Sequence, residues 1–354
     1  MTESGQGRTA SGVEVSESPP VRPPVPAVVF SLLALIGSFA ALLQVDIPIL
    51  WFLRSHNLSA LDWLGDAGEK MGNGGTLLTI SFLILLAGRY LKRDSLMRLG
   101  WDSLLAHAVV GLIVNGLKHI IGRPRPRLTH SGGWQWWPSW DPGLDSFPSG
   151  HTSATIAVVT VLSRAGSRWR WVLLALAGWV AASRIWRGSH FPSDVISAMV
   201  LGFVVGSIFN GPLRWWGRSC AKAIVGITPI TLILTGLFWV PTHRIVDVMT
   251  DDILLASGAV LVAVSEVLRW TTFAHPARPS AECILGLGLG IVTAAPIIMI
   301  LTGLVCLARW SGGSMLEASS VTAQPSTGYA GLHAFGAAVL VVAIQAAKGL
   351  VPLQ

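Results

Sequence analysis

The sequence predicts an all-α integral membrane protein, and composition is the first reason. Of the 354 residues, 52% are hydrophobic and only 12% are charged, against about a quarter charged in soluble domains. A mean hydropathy of +0.60 leaves more apolar surface than one water-soluble core can bury. The second reason is that long apolar runs recur along the chain, separated by short polar loops. We therefore expect an integral membrane helical bundle.

Ten apolar runs are candidate membrane helices, because a bilayer core requires about 20 helical residues. They are Val28–Leu43, Gly75–Leu91, Leu104–Ile121, Thr152–Leu162, Val172–Ile185, Val195–Phe209, Ala223–Val240, Ile253–Leu268, Ile284–Ala308 and Ala330–Ala347. The first six predict a six-helix core over residues 26–212. About four additional helices, of unknown role, would occupy residues 213–354. Residues 1–25 are polar and end in a proline-rich run, which predicts a disordered cytoplasmic tail.

The loops between the runs predict the orientation. Those after the second, fourth, sixth and eighth runs are basic, and the positive-inside rule makes their side cytoplasmic. Both termini would then be cytoplasmic. Two loops on the opposite side break the rule, one with Lys118, Arg123, Arg125 and Arg127, the other with Arg184 and Arg187. Cations on the non-cytoplasmic side require another explanation.

The net charge of +7 does not predict nucleic-acid binding, because the basic residues lie in short loops and form no single basic face. The three cysteines, Cys220, Cys283 and Cys306, contain no C-x-x-C pair. They support neither a disulfide framework nor a metal site.

Three polar clusters fall on the non-cytoplasmic side. KHIIGRPRP (residues 118–126) ends the third run, PSGH (148–151) begins the fourth, and SRIWRGSHFPSD (183–194) joins the fifth to the sixth. Arginine offers a planar fork and lysine a point charge for phosphate oxygens. Lys118, Arg125 and Arg184 would therefore surround a phosphate. No metal or other cofactor is predicted, because these cations already offset the phosphoryl charge.

The remaining residues of the clusters supply an anion cradle and proton-transfer groups. Ser149 and Gly150 begin a helix, where free N–H groups and the helix dipole favour an anion. Of the two histidines, His151 and His190, one can attack phosphorus while the other protonates the leaving oxygen. Asp194 follows His190 by four residues and can hold its ring in one tautomer.

The spacing Lys118-x6-Arg125-Pro126, then PSGH, then Ser183-Arg184-x5-His190-x3-Asp194 resembles the three-part signature of the type 2 phosphatidic acid phosphatase superfamily. Arg123 offers a second reading of the arginine position, but only Arg125 keeps the six-residue gap. The resemblance implies His190 as nucleophile, Asp194 as its orienting partner and His151 as general acid. It implies that Lys118, Arg125, Ser149, Gly150 and Arg184 bind phosphate. The motifs lie within residues 118–194, and the matching core would cover roughly residues 26–210.

We therefore predict a membrane lipid phosphatase that hydrolyses a phosphate monoester or diphosphate through a phosphohistidine. Candidate substrates are phosphatidate-like lipids, isoprenoid diphosphates and lipid A, reached from the surrounding membrane lipids. Three alternatives stay open: a lipid phosphotransferase with the same site, a vanadate haloperoxidase, and a transporter or scaffold whose phosphate site is vestigial. The oligomeric state is not predicted.

Other conspicuous residues receive ordinary interpretations. His107, inside the third run, is a functional candidate by its position, although helix packing is the favoured role. Trp134, Trp136, Trp137 and Trp140 form either a rim over the site or interfacial anchors. The glycine-rich stretch 65–75 predicts a flexible loop.

Overall fold

The computed structural model is helical and contains no strand in the part of the chain that it describes. That part comprises residues 22–23, 25–55, 62–129, 138–165, 167–239, 258, 260–263, 278–292, 298–304 and 306–307. The predicted all-α membrane bundle is thereby confirmed. Most of the predicted tail (residues 1–21 and 24), most of the run Ile253–Leu268 and the whole run Ala330–Ala347 lie outside these residues. Val25, the last residue of the predicted tail, begins α1.

Nine helices have continuous bounds within the described part. They are α1 (Val25–Ser55), α2 (Asp62–Met71), α3 (Gly74–Tyr90), α4 (Asp94–Ile121), α5 (Gly150–Leu162), α6 (Ser167–Trp186), α7 (Pro192–Ile208), α8 (Trp216–Trp239) and α9 (Arg278–Val292). Helices α4, α5 and α7 pack together around a buried apolar cluster, and α1 packs against α7, α8 and α9.

The number of membrane crossings differs from the prediction. Three described segments are long and apolar enough to cross a bilayer: Ala27–Ser55, Asp94–Leu128 and Leu213–Trp239. The pair α2 and α3, bent by 49°, would be a fourth if it acts as one span. Helix α5 has 13 residues, about 20 Å of helix, which is shorter than the ~30 Å hydrocarbon core. Ten crossings are therefore not confirmed.

The glycine-rich stretch 65–75 is largely helical, because residues 65–71 belong to α2 and residues 74–75 begin α3. The flexible loop predicted there is therefore wrong over those residues. Two of its glycines lie against α6. A Cβ added at Gly68 would stand 2.6 Å from Cβ of Ser183, and one at Gly65 would stand 3.0 Å from Cγ of Arg187. Close packing outweighs the low helix propensity of glycine here, and it brings the carboxylates of α2 beside the arginines that end α6.

The ninth predicted run, Ile284–Ala308, is not one straight helix. A Cβ added at Gly286 would collide with Thr302, and one at Gly290 would collide with Met299. In a straight helix, residues 286 and 302 would stand about 24 Å apart. Helix α9 and the helical segment 298–304 therefore fold back on each other. The apolar run alone could not distinguish this arrangement from a single span.

Gly202 brings α7 into backbone contact with α5, and its replacement by alanine is expected to destabilise the bundle. The added methyl would collide with the carbonyl oxygen of Ser153, at a cost of about 1–3 kcal/mol. Thermal unfolding in detergent should show a lower midpoint for Gly202→Ala. The matched control is Gly178→Ala in α6, where nothing lies within 4 Å of the added Cβ. An unchanged midpoint for Gly202→Ala would contradict the close packing.

Candidate active site

The three predicted clusters meet where α4 and α6 end and where α5 and α7 begin. The amide of Ser149 donates to the carbonyl of Asp194 at 3.3 Å, and the amide of His190 donates to the carbonyl of Arg184 at 3.2 Å. These bonds connect the start of α5 to the start of α7, and the end of α6 to the loop that precedes α7. Side chains from separate parts of the sequence therefore share one polar centre.

His190 is buried, and its Nδ1 lies 2.7 Å from the carbonyl oxygen of Ser146. A carbonyl can only accept, so Nδ1 carries the proton, and in the neutral ring the lone pair resides on Nε2. Burial lowers the pKa of His190, which favours that neutral form. Asp194 Oδ2 lies 3.8 Å from Nδ1, too far for a hydrogen bond. The orienting role of Asp194 thus stays a prediction, while Ser146 supplies the nearest acceptor.

Asp194 is fully buried and accepts hydrogen bonds on both carboxylate oxygens. Oδ2 accepts from the hydroxyl of Ser146 at 2.6 Å and from the amide of Phe191 at 2.9 Å. Oδ1 accepts from Nη1 of Arg123 at 2.5 Å. The carboxylate is therefore held rigidly at the start of α7, next to the segment that holds His190.

Sequence reasoning gave no role to Asp145 and Ser146, nor to a buried pair at the centre, Arg123 and Asp46. Both are 1% exposed, and Nη2 of Arg123 lies 2.7 Å from Oδ2 of Asp46. Asp46 follows the first predicted run, Val28–Leu43, but it lies within α1, which continues to Ser55. The available signal was the apolar sequence on both sides of Asp46, since a charge in such surroundings is usually buried and paired.

Lys118 and Arg125 lie together and share one carboxylate. Nζ of Lys118 is 3.4 Å from Oδ2 of Asp145, and Arg125 donates to both oxygens of Asp145 at 2.7 and 2.5 Å. The hydrogen bonds from Arg125 hold the pKa of the Asp145 carboxyl well below its usual range. Asp145 therefore remains ionised and keeps both cations at the centre.

Arg184, in the last turn of α6, and Arg187, just after that helix, face the carboxylates of α2. Glu69 Oε2 lies 3.2 Å from Nη1 of Arg184 and 3.2 Å from Nε of Arg187, and Arg187 also pairs with Asp66. Arg184 is 3% exposed, and its Nε has no hydrogen-bond partner among the described residues. A buried guanidinium with unused donors is suited to bind a further anion.

The PSGH cluster forms the start of α5. Ser149 is its N-cap residue and is fully buried. A Cβ added at Gly150 would lie 3.9 Å from Nζ of Lys118, so the helix start adjoins the Lys118 ammonium. Nε2 of His151 has no hydrogen-bond partner within the described ranges. Burial, followed by the charge of Arg184, lowers the pKa of His151 to about 4.

The other candidates remain outside this centre. His107 lies on α4, near Gly74 at the start of α3, eleven residues before Lys118 and about 16 Å from it along the helix. Trp140 is 80% exposed and stacks on the ring of His119 at 3.9 Å; the other tryptophans of that loop lie outside the described residues. Within the described part, no three His, Cys, Asp or Glu side chains could hold a metal ion together, and metal independence stays a prediction.

The combined geometry suits a tetrahedral anion. Three cations, Lys118, Arg125 and Arg184, lie in one centre with the start of α5 and two histidines. The carboxylates of Asp145 and Glu69 form ion pairs with these cations and offset part of their positive charge. The fold is that of a helical membrane protein, and the charges of this centre are suited to binding an anion such as phosphate.

Comparison with known families agrees with that class. The model of the family described as "PAP2 superfamily" matches residues 99–217. The lipid A 1-phosphatase of Rhizobium etli is 30% identical over 175 residues, which are 46% of this chain and 74% of the relative. The undecaprenyl-diphosphatase BcrC of Bacillus subtilis is 29% identical over 102 residues, covering 28% of this chain and 51% of the relative. The decaprenylphosphoryl-5-phosphoribose phosphatase of Mycobacterium tuberculosis is 33% identical over 124 residues, covering 34% of this chain and 62% of the relative.

The crystal structure of Aquifex aeolicus LpxE aligns with a TM-score of 0.38 at 22% identity, covering 46% of this chain and 93% of that chain; likeness at that level supports no functional inference. The chain belongs to the PAP2 superfamily, as the sequence motifs predicted, and it is a membrane lipid phosphatase acting on phosphoric esters.

Proposed function

We propose that this protein hydrolyses a phosphate monoester or diphosphate on a membrane lipid through a phosphohistidine on His190. The observation that supports it most directly is the bond from Nδ1 of His190 to the Ser146 carbonyl at 2.7 Å. With the proton on Nδ1, the Nε2 lone pair is available to act as nucleophile in a centre surrounded by cations. Deletion of such a nucleophile is among the most damaging changes in comparable enzymes.

The reaction would proceed in two displacements at phosphorus. Nε2 of His190 attacks, the bond from phosphorus to the lipid oxygen breaks, and His151 gives its proton to that oxygen. Water then attacks the phosphohistidine, the P–N bond breaks, and the water proton passes to His151. Lys118, Arg125, Arg184 and the start of α5 at Ser149 and Gly150 would bind the phosphoryl oxygens throughout. The products are inorganic phosphate and either the lipid alcohol, from a monoester, or the lipid monophosphate, from a diphosphate.

The substrate would be an amphiphile, because the site lies at the ends of helices embedded in a bilayer. The relatives act, by their names, on lipid A, undecaprenyl diphosphate and decaprenylphosphoryl-5-phosphoribose. A glycolipid phosphate or an isoprenoid phosphate is therefore favoured over a soluble sugar phosphate. We also propose a multi-pass topology with cytoplasmic termini and a non-cytoplasmic site, which the positive-inside pattern supports.

The test measures phosphate release by purified protein in detergent that contains a metal chelator. Phosphatidate, an isoprenoid diphosphate, a lipid A phosphate and glucose 6-phosphate would be compared at equal concentration. We expect release from at least one lipid and far less from glucose 6-phosphate. Equal rates on lipid and sugar phosphates would contradict the lipid assignment, and transfer of phosphate to a second lipid would identify a phosphotransferase instead.

A further inference from the structure

Arg123 links three elements around the nucleophile. Nη1 donates to the hydroxyl of Ser193 at 2.7 Å and to Oδ1 of Asp194 at 2.5 Å, and Nη2 donates to Oδ2 of Asp46 at 2.7 Å. Its guanidinium also lies over the ring of Phe191, 4.1 Å from the centroid. Arg123 therefore fixes the start of α7 against α1.

Asp46 binds the same residue, Ser193, at the start of α7. Oδ1 accepts from the amide of Ser193 at 3.0 Å, and Oδ2 accepts from the Ser193 hydroxyl at 2.5 Å. Asp46 belongs to α1, which lies outside residues 99–217 that the family model matches. A helix outside the matched region thus supplies a buried carboxylate to Ser193 at the start of α7, three residues after His190.

The connection to His190 passes through Ser146. The carbonyl of Arg123 accepts from the amide of Ser146 at 2.9 Å, and the Ser146 hydroxyl donates to Asp194. The Ser146 carbonyl in turn accepts from Nδ1 of His190. Arg123 therefore holds Ser146 both directly and through Asp194, and Ser146 holds the imidazole.

The charges impose a further condition. Two buried carboxylates share one guanidinium, and loss of a partner from such a group leaves an uncompensated charge. The positive charge of Arg123 partly offsets the negative charge of Asp194. It therefore limits how far Asp194 raises the pKa of the His190 ring. Among the described residues, the other charged groups near His190 include Lys118 at the end of α4, Arg125 in the segment that follows α4, and His151 at the start of α5.

We propose that Asp46 and Arg123 are a positioning pair for His190, which fixes its orientation through Ser146 and sets the charge balance around it. This inference rests on the proposed function, because it assumes that His190 is the nucleophile. Both side chains are buried and bonded to each other, to Ser193 and, for Arg123, to Asp194. We therefore expect the pair to act on the chemical step and to leave substrate binding unchanged.

The sign of the pH response distinguishes positioning from a merely structural role. His190 attacks only when neutral, so the acid limb of kcat/KM follows the pKa of its ring. Removal of the positive charge in Arg123→Gln raises that pKa and moves the limb to higher pH. Removal of the negative charge in Asp46→Asn lowers that pKa and moves the limb to lower pH. General loosening of the fold would not produce shifts of opposite sign.

The experiment measures kcat, KM and pH profiles of phosphate release for the wild type, Asp46→Asn, Arg123→Gln and Arg123→Lys. Misplacement of a reacting group by about 1 Å costs roughly 10²-fold, and we expect kcat losses of that order with KM unchanged. Arg123→Lys retains the positive charge but not the planar guanidinium, whose two terminal nitrogens bind Asp46 and Asp194. It should lose kcat without shifting the acid limb, and it remains informative if Arg123→Gln does not fold.

The matched control is Asp102→Asn, which breaks the ion pair with Arg164 about 24 Å along α4 from Lys118. It should leave kcat and the pH profile unchanged. Wild-type kinetics in the Asp46 and Arg123 variants, or acid limbs that move in the same direction, would overturn the inference. An inactive wild type would instead refute the proposed function, so the two failures are distinguishable.

Discussion

Replacement of His190 by asparagine is expected to reduce kcat by about 10⁴ or more, the scale seen when a covalent nucleophile is removed. Asparagine retains a nitrogen donor near the position of Nδ1, which can still bond to the Ser146 carbonyl, but it has no counterpart of Nε2. The packing of this buried position is therefore largely kept while the attacking atom is lost. Steady-state phosphate release measures the effect.

Two controls make the His190→Asn result interpretable. The variant should unfold in detergent near the wild-type temperature, and it should still bind inorganic phosphate, because Lys118, Arg125 and Arg184 are unchanged. Activity within tenfold of the wild type, in a folded and phosphate-binding variant, would rule out His190 as nucleophile.

Replacement of His151 by glutamine is expected to reduce activity by about 10²–10⁴-fold on a lipid phosphate, the usual contribution of a general acid or base. The leaving lipid alkoxide is strongly basic and requires a proton as the P–O bond breaks. A nitrophenyl ester has a stable leaving group that requires none. Phosphate release from p-nitrophenyl phosphate should therefore be far less affected in the same variant.

The His151 prediction has a built-in contrast with His190. Loss of the nucleophile should abolish activity on both substrates, whereas loss of the acid should be selective for the poor leaving group. Burial lowers the pKa of His151 to about 4, so we expect the negative charge of the bound phosphate to raise that pKa and stabilise the proton. Equal losses on both substrates would contradict the general-acid role.

The centre itself was largely predictable from the sequence. Its clusters lie at helix ends, where motif spacing and the unusual position of the cations both indicate an anion site. The structure brings Lys118, Arg125, His151, Arg184 and His190 into that common centre. Their roles in catalysis stay predictions until the variants are measured.

The parts that were missed depend on tertiary contacts. Asp46 and Arg123 stand 77 residues apart, and no local pattern indicates that they share a buried bond. Gly65 and Gly68 favour a loop by intrinsic propensity, but their packing against α6 stabilises a helix. The fold-back between Gly286 and Thr302 is invisible in hydropathy, because both segments are apolar. Composition predicts that such helices lie in a bilayer, but it does not predict which helices pack against each other.

The central claim is a covalent phosphohistidine, and acid-free trapping of that intermediate tests it most directly. Protein mixed with a ³²P-labelled lipid phosphate would be quenched in alkali within one turnover, digested and mapped by mass spectrometry. We predict label on the peptide that contains His190, absent from His190→Asn and retained for longer in His151→Gln. Phosphate release within one turnover without any labelled protein, or label on another residue, would contradict the claim.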